Sequence, residues 1–492
     1  MNISRRFFIG GAASFGALAG CRAFNAPVGK FGIGPARLKF GVVSDIHVAE
    51  GEGDFKKFGD NRNFVGALEY FRAQGVDGVV VAGDMADNGM INQLKKVAEA
   101  WYEVFPDDRD RNGRKVEKLF VYGNHDLEGF CYDGYAERFH ERTSFEAARI
   151  VVDPARAWEE AFHEPYAPIW SKEVNGYRFI GAHWVAGRWD GIEAVEPYMA
   201  GNGGGIDPKL PFFFIQHPHP MDTCHLGHAW GQDKGYARRA LNPFPNAVAF
   251  SGHSHTPLTD ESAIWQGEFT SVGTASLRYG GGGFADPAPC GYENGRTPKV
   301  DGVDRDAADA AKVMGDEVSP SRKWNARQGM LVSVYDDRIV FHRRDFINRE
   351  ALGDDWVMPL PAAESRPFAP EANKVRTTPP RFAAGAKLKL SVGKRKPRKG
   401  EPVDAVVFEF PAAWAEPGVR PFDYELVCEQ DGKEVFKRYL SDKGFSYARH
   451  RAERLVHAAV PKSAFPAGRC TVRVVPRNVN YVKGEPLSAE FS

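Results

Sequence analysis

The chain has 492 residues, of which 43% are hydrophobic and 26% are charged. Its 64 Lys and Arg residues balance 64 Asp and Glu residues, so the formal net charge is zero. A nucleic-acid-binding protein usually carries a clear basic excess, and we therefore expect no nucleic-acid partner. The length suits two or three globular domains.

The first residues indicate an export signal. Arg5 and Arg6 precede the apolar run "FFIGGAASFGALA". This run is too short to span a bilayer, which takes about 20 residues, so it predicts a signal peptide and not an anchor helix. The arginine pair followed by Phe8 resembles a twin-arginine signal, whose machinery exports folded proteins.

The end of this signal resembles a lipobox. "LAGC" ends at Cys21, and the resemblance implies cleavage before Cys21 and its lipidation. An ordinary signal cleaved near Ala19 or Ala23 is the alternative. We predict a signal peptide over 1–21 and a tether over 22–37. The protein would be exported to the periplasm or cell envelope, lipid-anchored, with that lipid as its only membrane contact.

Five polar clusters follow in chain order, each at the end of an apolar run that predicts a β-strand. The runs are "LKFGVVSDIH", "VDGVVVAGD", "KLFVYGNHD", "FFFIQHPH" and "AVAFSGHSH". The clusters are Asp45-Ile46-His47, Gly83-Asp84, Gly123-Asn124-His125-Asp126, His217 and Gly252-His253-Ser254-His255. Ligands bind at the carboxyl ends of strands in open α/β sheets, so these side chains should meet at one edge. Carboxylates and imidazoles together predict a site for two ions of Mn, Zn or Fe.

Helical periodicity separates the first three strands. "NFVGALEYFRAQG" places Phe64, Leu68 and Phe71 on one helical face and ends at Gly75, and "INQLKKVAEAWYEVF" predicts a second amphipathic helix. This alternation of strands and helices predicts an α/β fold with a mainly parallel sheet covered on both faces.

The five clusters together resemble the calcineurin-like metallophosphoesterase superfamily, whose pattern runs D-x-H, G-D, G-N-H-D/E, H and G-H-x-H. The resemblance covers residues 38–345 and implies a four-layer α/β/β/α sandwich. It implies that Asp84 bridges two metal ions. It assigns Asp45, His47, Asp84 and His255 to one ion and Asp84, Asn124, His217 and His253 to the other.

The same resemblance implies hydrolysis of phosphate mono- or diesters by a metal-bridging hydroxide. His125 would donate a proton to the leaving group, and Asp126 would orient His125. The purple acid phosphatases carry an iron-binding Tyr three residues after the bridging Asp, where this chain has Asp87. We therefore expect no iron–tyrosinate site.

Several further residues are candidates for substrate contacts. "QHPHP" offers both His217 and His219; we favour His217 as the ligand because it directly ends the strand, which leaves His219 for the cleft or the turn. His183 and Trp184 end another apolar run. His225 and His228 lie in a long loop, where binding residues often occur, although a small loop core is the alternative for such residues.

The last third of the chain changes character. The Pro- and Ala-rich residues 346–385 predict an extended linker, and 386–492 contain about seven short strand patterns, typical of an immunoglobulin- or fibronectin-like β-sandwich. Cys428 and Cys470 lie in two of these strands and would form one disulfide or remain buried thiols.

Two functions fit the sequence. The first is an exported phosphoesterase that acts on a phosphate-ester substrate with two metal ions. The second is a surface binding protein whose C-terminal sandwich recognises glycan and whose phosphoesterase domain is secondary or inactive. The sequence does not indicate an oligomeric state.

Overall fold

The computed structural model describes ten ranges of the chain. They are residues 34–49, 61–131, 153–187, 192–227, 231–278, 327–376, 378–395, 401–414, 421–441 and 455–492. The predicted signal peptide with Cys21, most of the tether and His228 lie outside the described residues. Within these ranges, no helix is long and apolar enough to cross a membrane.

The first 360 residues contain thirteen described strands. They are β1 (Leu38–Val43), β2 (Gly78–Ala82), β3 (Glu117–Val121), β4 (Ile169–Val174), β5 (Tyr177–Ala182), β6 (Phe212–Ile215), β7 (Ala247–Ser251), β8 (Ile264–Gln266), β9 (Thr270–Gly273), β10 (Gln328–Val334), β11 (Arg338–Asp345), β12 (Glu350–Ala351) and β13 (Trp356–Pro359). The described α-helices are α1 (Arg62–Gln74), α2 (Ile91–Val104), α3 (Asn124–Glu128), α4 (Pro154–Phe162), α5 (Val195–Asn202), α6 (Tyr236–Leu241) and α7 (Pro370–Arg376).

The thirteen strands form two mixed sheets. One has the order β12-β11-β10-β1-β2-β3, with β13 also paired to β11, and the other has the order β4-β5-β6-β7-β9-β8. β1, β2 and β3 are parallel, as are β5, β6, β7 and β9. In the first sheet the antiparallel strands lie on one side of β1, and the parallel strand β3 forms the opposite edge. In the second sheet the parallel strands lie in the middle, between the antiparallel strands β4 and β8.

The two sheets pack face to face, and helices cover both outer faces. Phe40 of β1 contacts the rings of Phe179, Phe213 and Phe250 at centroid distances of 4.8–5.8 Å, which joins the sheets. Helices α1, α2 and α4 cover the first sheet, while α5 and α6 cover the second. This is the predicted arrangement of four α/β/β/α layers.

The two predicted helices occur where the periodicity placed them. Helix α1 buries Phe64, Leu68 and Phe71 against the first sheet. It ends at Gly75, whose φ of 68° is in the left-handed region that glycine adopts without a steric penalty.

The prediction of an extended linker over 346–385 is wrong for residues 350–376, which contain β12, β13 and α7. β12 and β13 extend the first sheet, and Trp356, Met358 and Phe368 are buried in the core between the sheets. Trp356 Nε1 donates to Glu261 at 2.8 Å, and the Arg343 guanidinium lies 4.3 Å from the Trp356 ring centre. The sequence pattern suggested a linker because prolines separate the apolar residues of this segment, which therefore show no regular helix or strand period. These apolar residues nevertheless fill the end of the core.

The C-terminal region forms two antiparallel sheets. Their strands are β14 (Lys389–Arg395), β15 (Val403–Pro411), β16 (Asp423–Gln430), β17 (Lys433–Ser441), β18 (Leu455–Pro461), β19 (Cys470–Arg477) and β20 (Leu487–Phe491). The sheet orders are β14-β15-β18 and β17-β16-β19-β20, and one apolar core lies between them. Both Cys428 and Cys470 are buried free thiols.

Replacing Trp356 tests whether this segment belongs to the core. We expect Trp356→Ala to lower the free energy of unfolding by about 3–5 kcal/mol, because it leaves a cavity and removes one of the hydrogen-bond donors to Glu261. Trp414→Ala is the matched control, since Trp414 is 36% exposed. Urea unfolding of the full chain measures both effects. Equal, small losses in the two variants would contradict the assignment.

Candidate metal centre

The five predicted clusters meet where the two sheets share an edge. Asp45 and His47 follow β1, Asp84 follows β2, and Asn124 begins α3 directly after β3. His217 follows β6 of the second sheet, and His253 and His255 follow β7. All seven side chains are buried. The parallel strands of both sheets therefore deliver their polar ends to one place.

One group of potential ligands contains Asp45, His47, Asp84 and His255, with ligand atoms that all lie within 4.8 Å of one another. His255 Nε2 is 2.9 Å from Asp45 Oδ1. His47 Nε2 is 3.8 Å from Asp45 Oδ1 and 3.7 Å from Asp84 Oδ2. Two carboxylates and two imidazoles thus face a common centre.

A second group contains Asp84, His217 and His253, again within 4.8 Å of one another. His217 Nε2 is 3.0 Å from Asp84 Oδ2, and the rings of His217 and His253 are 4.6 Å apart. The other oxygen of Asp84 accepts the His125 backbone N–H at 2.8 Å. Asp84 belongs to both groups, so its carboxylate occupies the position of a bridge.

The orientation of the imidazoles fits metal ions. His47 Nδ1 is 3.1 Å from Asp87 Oδ1, which favours a proton on Nδ1 and leaves a lone pair on Nε2. That Nε2 is only 3.2 Å from Nε2 of His255. Likewise His217 Nδ1 is 2.7 Å from the Ala82 carbonyl, so its Nε2 lone pair faces Asp84. Converging lone pairs and carboxylates need a proton or a cation between them.

The electrostatics also favour positive charge at the centre. Burial alone would lower the pKa of His47, but hydrogen bonds to Asp45 and Asp87 and the charge of Asp84 raise this pKa to about 10. Burial would also lower the pKa of His217, yet the charge of Asp84 raises it to about 9. Burial opposes ionisation of Asp45 and Asp84, but the neighbouring histidines hold both pKa values below their usual range. The same field that stabilises protons stabilises metal ions, which would replace those protons.

The backbone around the centre is strained. Asp45, His47, Asp84, His253 and His255 all have φ values between 47° and 70°. For residues other than glycine this left-handed conformation is uncommon and costs about 1–3 kcal/mol each. The two glycines before Asp84 and Asn124 allow close approach: a Cβ at Gly83 would collide with the His217 ring, and one at Gly123 with the Asp84 carboxylate. Backbone strain therefore lowers the local stability of the loops that bring these side chains together.

His125 lies beside the centre, but Asp126 does not orient it. The His125 ring is 4.6 Å from the His47 ring, and its Nδ1 is 2.7 Å from the Asp87 carbonyl oxygen. Asp126 instead accepts the backbone N–H groups of Ala86 and Gly123 at 2.6 and 2.8 Å. Burial and the charge of Asp84 raise the pKa of Asp126 to about 7. Asp126 therefore holds together the loops that follow β2 and β3. Its position in the first turn of α3 directs its carboxylate to backbone donors of these loops.

Asp87 and Arg278 are the residues that sequence reasoning left without a role. Asp87 contacts His47 through its carboxylate and His125 through its carbonyl, and an Arg278 guanidinium nitrogen pairs with the same carboxylate. Burial would raise the pKa of Asp87, but the His47 hydrogen bond and the Arg278 charge lower it to about 2. The spacing of Asp87 from Asp84 was the signal available in the sequence. No sequence signal indicated Arg278, because it is distant from Asp87 in the chain.

His183 and Trp184 are not surface cleft residues. His183 is 2% exposed and packs among Tyr122, Trp158 and Tyr166. Its Nδ1 accepts the Tyr122 backbone N–H at 3.0 Å, and burial lowers its pKa to about 3. Trp184 is also 2% exposed, and its ring centre lies 6.0 Å from that of His253. Trp184 therefore forms a buried wall of the metal centre, whereas His183 belongs to the core.

His219 and His225 are buried behind the centre and do not line an open cleft. The two ring nitrogens of His219 lie 2.7 Å from Ser251 Oγ and 2.8 Å from Ser254 Oγ. Because Ser254 stands between His253 and His255, His219 supports the loop that carries them. His225 is fully buried, with Nδ1 3.5 Å from Asp260 Oδ2. The structure thus places His217, and not His219, beside Asp84.

Residues 38–257 match the family model for calcineurin-like phosphoesterases. The chain therefore contains a calcineurin-like phosphoesterase domain. A comparison with curated proteins finds no match.

Solved structures that match this chain include two phosphatases and one predicted phosphoesterase. A dimetal phosphatase from Danio rerio is 12% identical, with 66% of this chain and 99% of that chain covered and a TM-score of 0.33. A predicted phosphoesterase from Streptococcus pneumoniae is 13% identical, with 65% and 97% covered and a TM-score of 0.26. A purple acid phosphatase from yellow lupin (Lupinus luteus) seeds is 13% identical, with 65% of this chain but 53% of that chain covered and a TM-score of 0.36.

Asp87→Asn tests whether the Asp87 carboxylate orients the His47 ring for metal binding. The amide keeps the shape but removes the charge that holds the His47 ring and pairs with Arg278, so we expect metal affinity to fall by about 10–100-fold. Competition with a chromogenic chelator measures the affinity. Asp77→Asn is the matched control, because Asp77 precedes β2 at the opposite end from Asp84 and bonds the Lys39 N–H. Equal affinities in the two variants would contradict this role.

His183→Asn tests the burial of a neutral histidine. The unfolded chain binds a proton at this residue near pH 6.5 and the folded protein only near pH 3. The unfolded state therefore binds more protons in this window, so His183 lowers stability as the pH falls, by up to about 1.4 kcal/mol per pH unit. Asn can accept the Tyr122 N–H without titrating. We expect a shallower loss of unfolding free energy between pH 6.5 and 4.5 in the variant.

The exposed His163, in the left-handed C-cap of α4, is the control for this measurement. His163→Asn should retain the wild-type slope. Parallel curves for wild type and His183→Asn would show that His183 does not contribute.

Proposed function

We propose that the protein hydrolyses phosphate mono- or diesters with two transition-metal ions, Mn, Zn or Fe. The observation that carries this proposal is the shared position of Asp84 between the two groups of potential ligands. A carboxylate common to two sites is the feature that a two-metal hydrolase needs, since the ions stand about 3.5–4 Å apart.

The chain's own residues divide the work. Asp45, His47 and His255 would hold one ion with Asp84, and Asn124, His217 and His253 would hold the other with Asp84. Bound ions would supply activation of water and neutralisation of negative charge on the phosphoryl oxygens. Asp87 keeps the His47 lone pair directed at the centre. Trp184 and the sheet interface keep bulk water from the buried side.

His125 donates a proton to the leaving oxygen. It is the partly exposed histidine of the cluster, with 26% of its side chain accessible, so a substrate can reach it. Its Nδ1 donates to the Asp87 carbonyl at 2.7 Å, so the imidazolium form of His125 would donate its Nε2 proton to the leaving group. Asp87 therefore orients the proposed ligand His47 through its carboxylate and the proposed acid His125 through its backbone carbonyl.

The location and remaining domains are part of the proposal. The twin arginines and Cys21 support export to the periplasm or cell envelope as a lipoprotein, with membrane contact through the lipid alone. The C-terminal region is proposed as an immunoglobulin- or fibronectin-like sandwich, supported by seven antiparallel strands divided three and four between two facing sheets. The proposed partner is the phosphate-ester substrate and not nucleic acid, given the zero net charge.

Turnover of two chromogenic esters tests the proposal. The protein is stripped of metal, reloaded with Mn, Zn or Fe, and assayed with p-nitrophenyl phosphate and bis-p-nitrophenyl phosphate. We expect metal-dependent hydrolysis, with the rate ratio identifying the monoester or diester class. Asp84→Asn should abolish it because the bridge is lost, while Asp77→Asn should leave it intact. Absence of turnover with every metal in the folded protein would overturn the proposal.

His125→Ala separates the acid from the metal ligands. Loss of a general acid lowers kcat by about 10²–10⁴-fold, and we expect the loss to be larger for an alkyl phosphate than for p-nitrophenyl phosphate. The reason is that p-nitrophenolate leaves without protonation. Metal content of the variant should equal that of wild type. Equal losses for both esters would contradict the assigned role.

A further inference from the structure

A short segment after β9 lies beside the metal centre but supplies none of the proposed ligands. It consists of residues 274–278, "TASLR", and it directly follows the last strand residue, Gly273. All five of its residues are buried. The segment also lies beyond residue 257, where the match to the family model ends. Its role therefore has to be read from its contacts.

Main-chain hydrogen bonds attach this segment to the ends of strands in both sheets. The Thr274 N–H donates to the carbonyl of Ser251, the last residue of β7, at 2.9 Å. The Arg278 N–H donates to the carbonyl of Asp45, which follows β1, at 3.1 Å. Because β7 and β1 belong to different sheets, the segment ties the two sheets together beside the metal centre.

Two buried hydroxyl groups connect the segment to the carboxylate of Asp45. Thr274 Oγ1 donates to Ser44 Oγ at 2.7 Å, and it is also 3.0 Å from the Ser251 carbonyl. The Ser44 hydroxyl has two acceptors within reach, Asp45 Oδ2 and the Ala275 carbonyl at 2.8 Å. The ionised acceptor forms the stronger hydrogen bond, so Ser44 donates to Asp45. Both hydroxyl residues have no exposed surface, so bulk water does not compete for these bonds.

These contacts determine which oxygen of Asp45 faces the imidazoles. With Oδ2 bound by Ser44, Oδ1 lies 2.9 Å from His255 Nε2. Gly252 packs against the other side, where a Cβ would collide with both Oδ2 and Ser44 Oγ. Ser276 Oγ donates to the Asp45 main-chain carbonyl at 3.0 Å. The segment thus holds the backbone of Asp45 directly and its carboxylate through Ser44.

The last residue of the segment acts on a second potential ligand of the same group. The Arg278 guanidinium pairs with the Asp87 carboxylate, which is 3.1 Å from His47 Nδ1. His47 and Asp45 belong to the same group of potential ligands. His217 of the other group is held differently, because its Nδ1 is 2.7 Å from a carbonyl at the end of β2. The side-chain contacts of Thr274, Ser276 and Arg278 therefore converge on one of the two ion sites.

We propose that residues 274–278 position the ligands of one ion site, which we call the first ion site and which consists of Asp45, His47, Asp84 and His255. Thr274 positions Asp45 through Ser44, and Arg278 positions His47 through Asp87. Groups that hold a metal ligand in its binding orientation contribute to metal affinity without touching the ion. This inference rests on the proposed function, because it assigns these residues a role toward the two ions.

Zinc binding by Thr274 variants tests the proposal without measuring activity. Metal-free protein is titrated with Zn in competition with a chromogenic chelator, which resolves the two binding steps. Thr274→Val keeps the branched shape but removes the hydroxyl, so Ser44 loses a donor and the Asp45 carboxylate is held less firmly. We expect one step to weaken about 10–100-fold and the other to keep its wild-type affinity. Thr274→Ser retains the hydroxyl and should restore the weakened step.

Three further variants identify the affected site. His253→Ala removes a potential ligand of the other group and should weaken the other step. Arg278→Gln releases Asp87 and should weaken the same step as Thr274→Val. Ser333→Ala is the matched control, since Ser333 is 2% exposed and stands opposite Lys39, near the other end of β1 from Ser44. It should leave both steps unchanged.

The possible outcomes separate this inference from the proposed function. Wild type that binds fewer than two ions would overturn both. If wild type binds two ions, unchanged affinities in Thr274→Val would overturn the positioning role alone. The same follows if Thr274→Val weakens both steps equally, since general loosening of the fold would do that, or if Thr274→Ser fails to restore the affinity.

Discussion

The structure depends on one constraint: carboxylates and imidazoles are buried together where two sheets share an edge. Burying a charge costs several kcal/mol unless it is paired. Here Asp45 and Asp84 are fully or almost fully buried, and the imidazoles that surround them supply the pairing only if protons or metal ions lie between. The conformations of the loops follow from this demand. Five of the polar residues accept a left-handed backbone, and glycines stand where a side chain would collide.

The rest of the domain holds the two halves of this cluster in register. One half follows strands of the first sheet and the other half follows strands of the second, so their separation depends on how the sheets pack. The Phe40 ring against Phe179, Phe213 and Phe250 fixes that packing. Behind the loops, Asp87, Asp126 and His219 each bond a residue beside the centre. A metal centre of this kind is thus a property of the whole sandwich, because no single loop supplies enough ligands.

The sequence determined the residues that carry chemistry and the layers that position them. Polar residues directly after buried strands, such as Asp84 after β2, predicted the shared edge, because strand direction and side-chain period are local properties. The α1 and α2 helices followed from a 3.6-residue period. The tertiary structure alone decided the other outcomes. Trp356 belongs to the core and not to a linker, His183 is buried, and Asp126 braces backbone while Asp87 contacts His125. Each of these depends on a partner distant in the chain or on side-chain direction at a loop, and neither is encoded in local pattern or spacing.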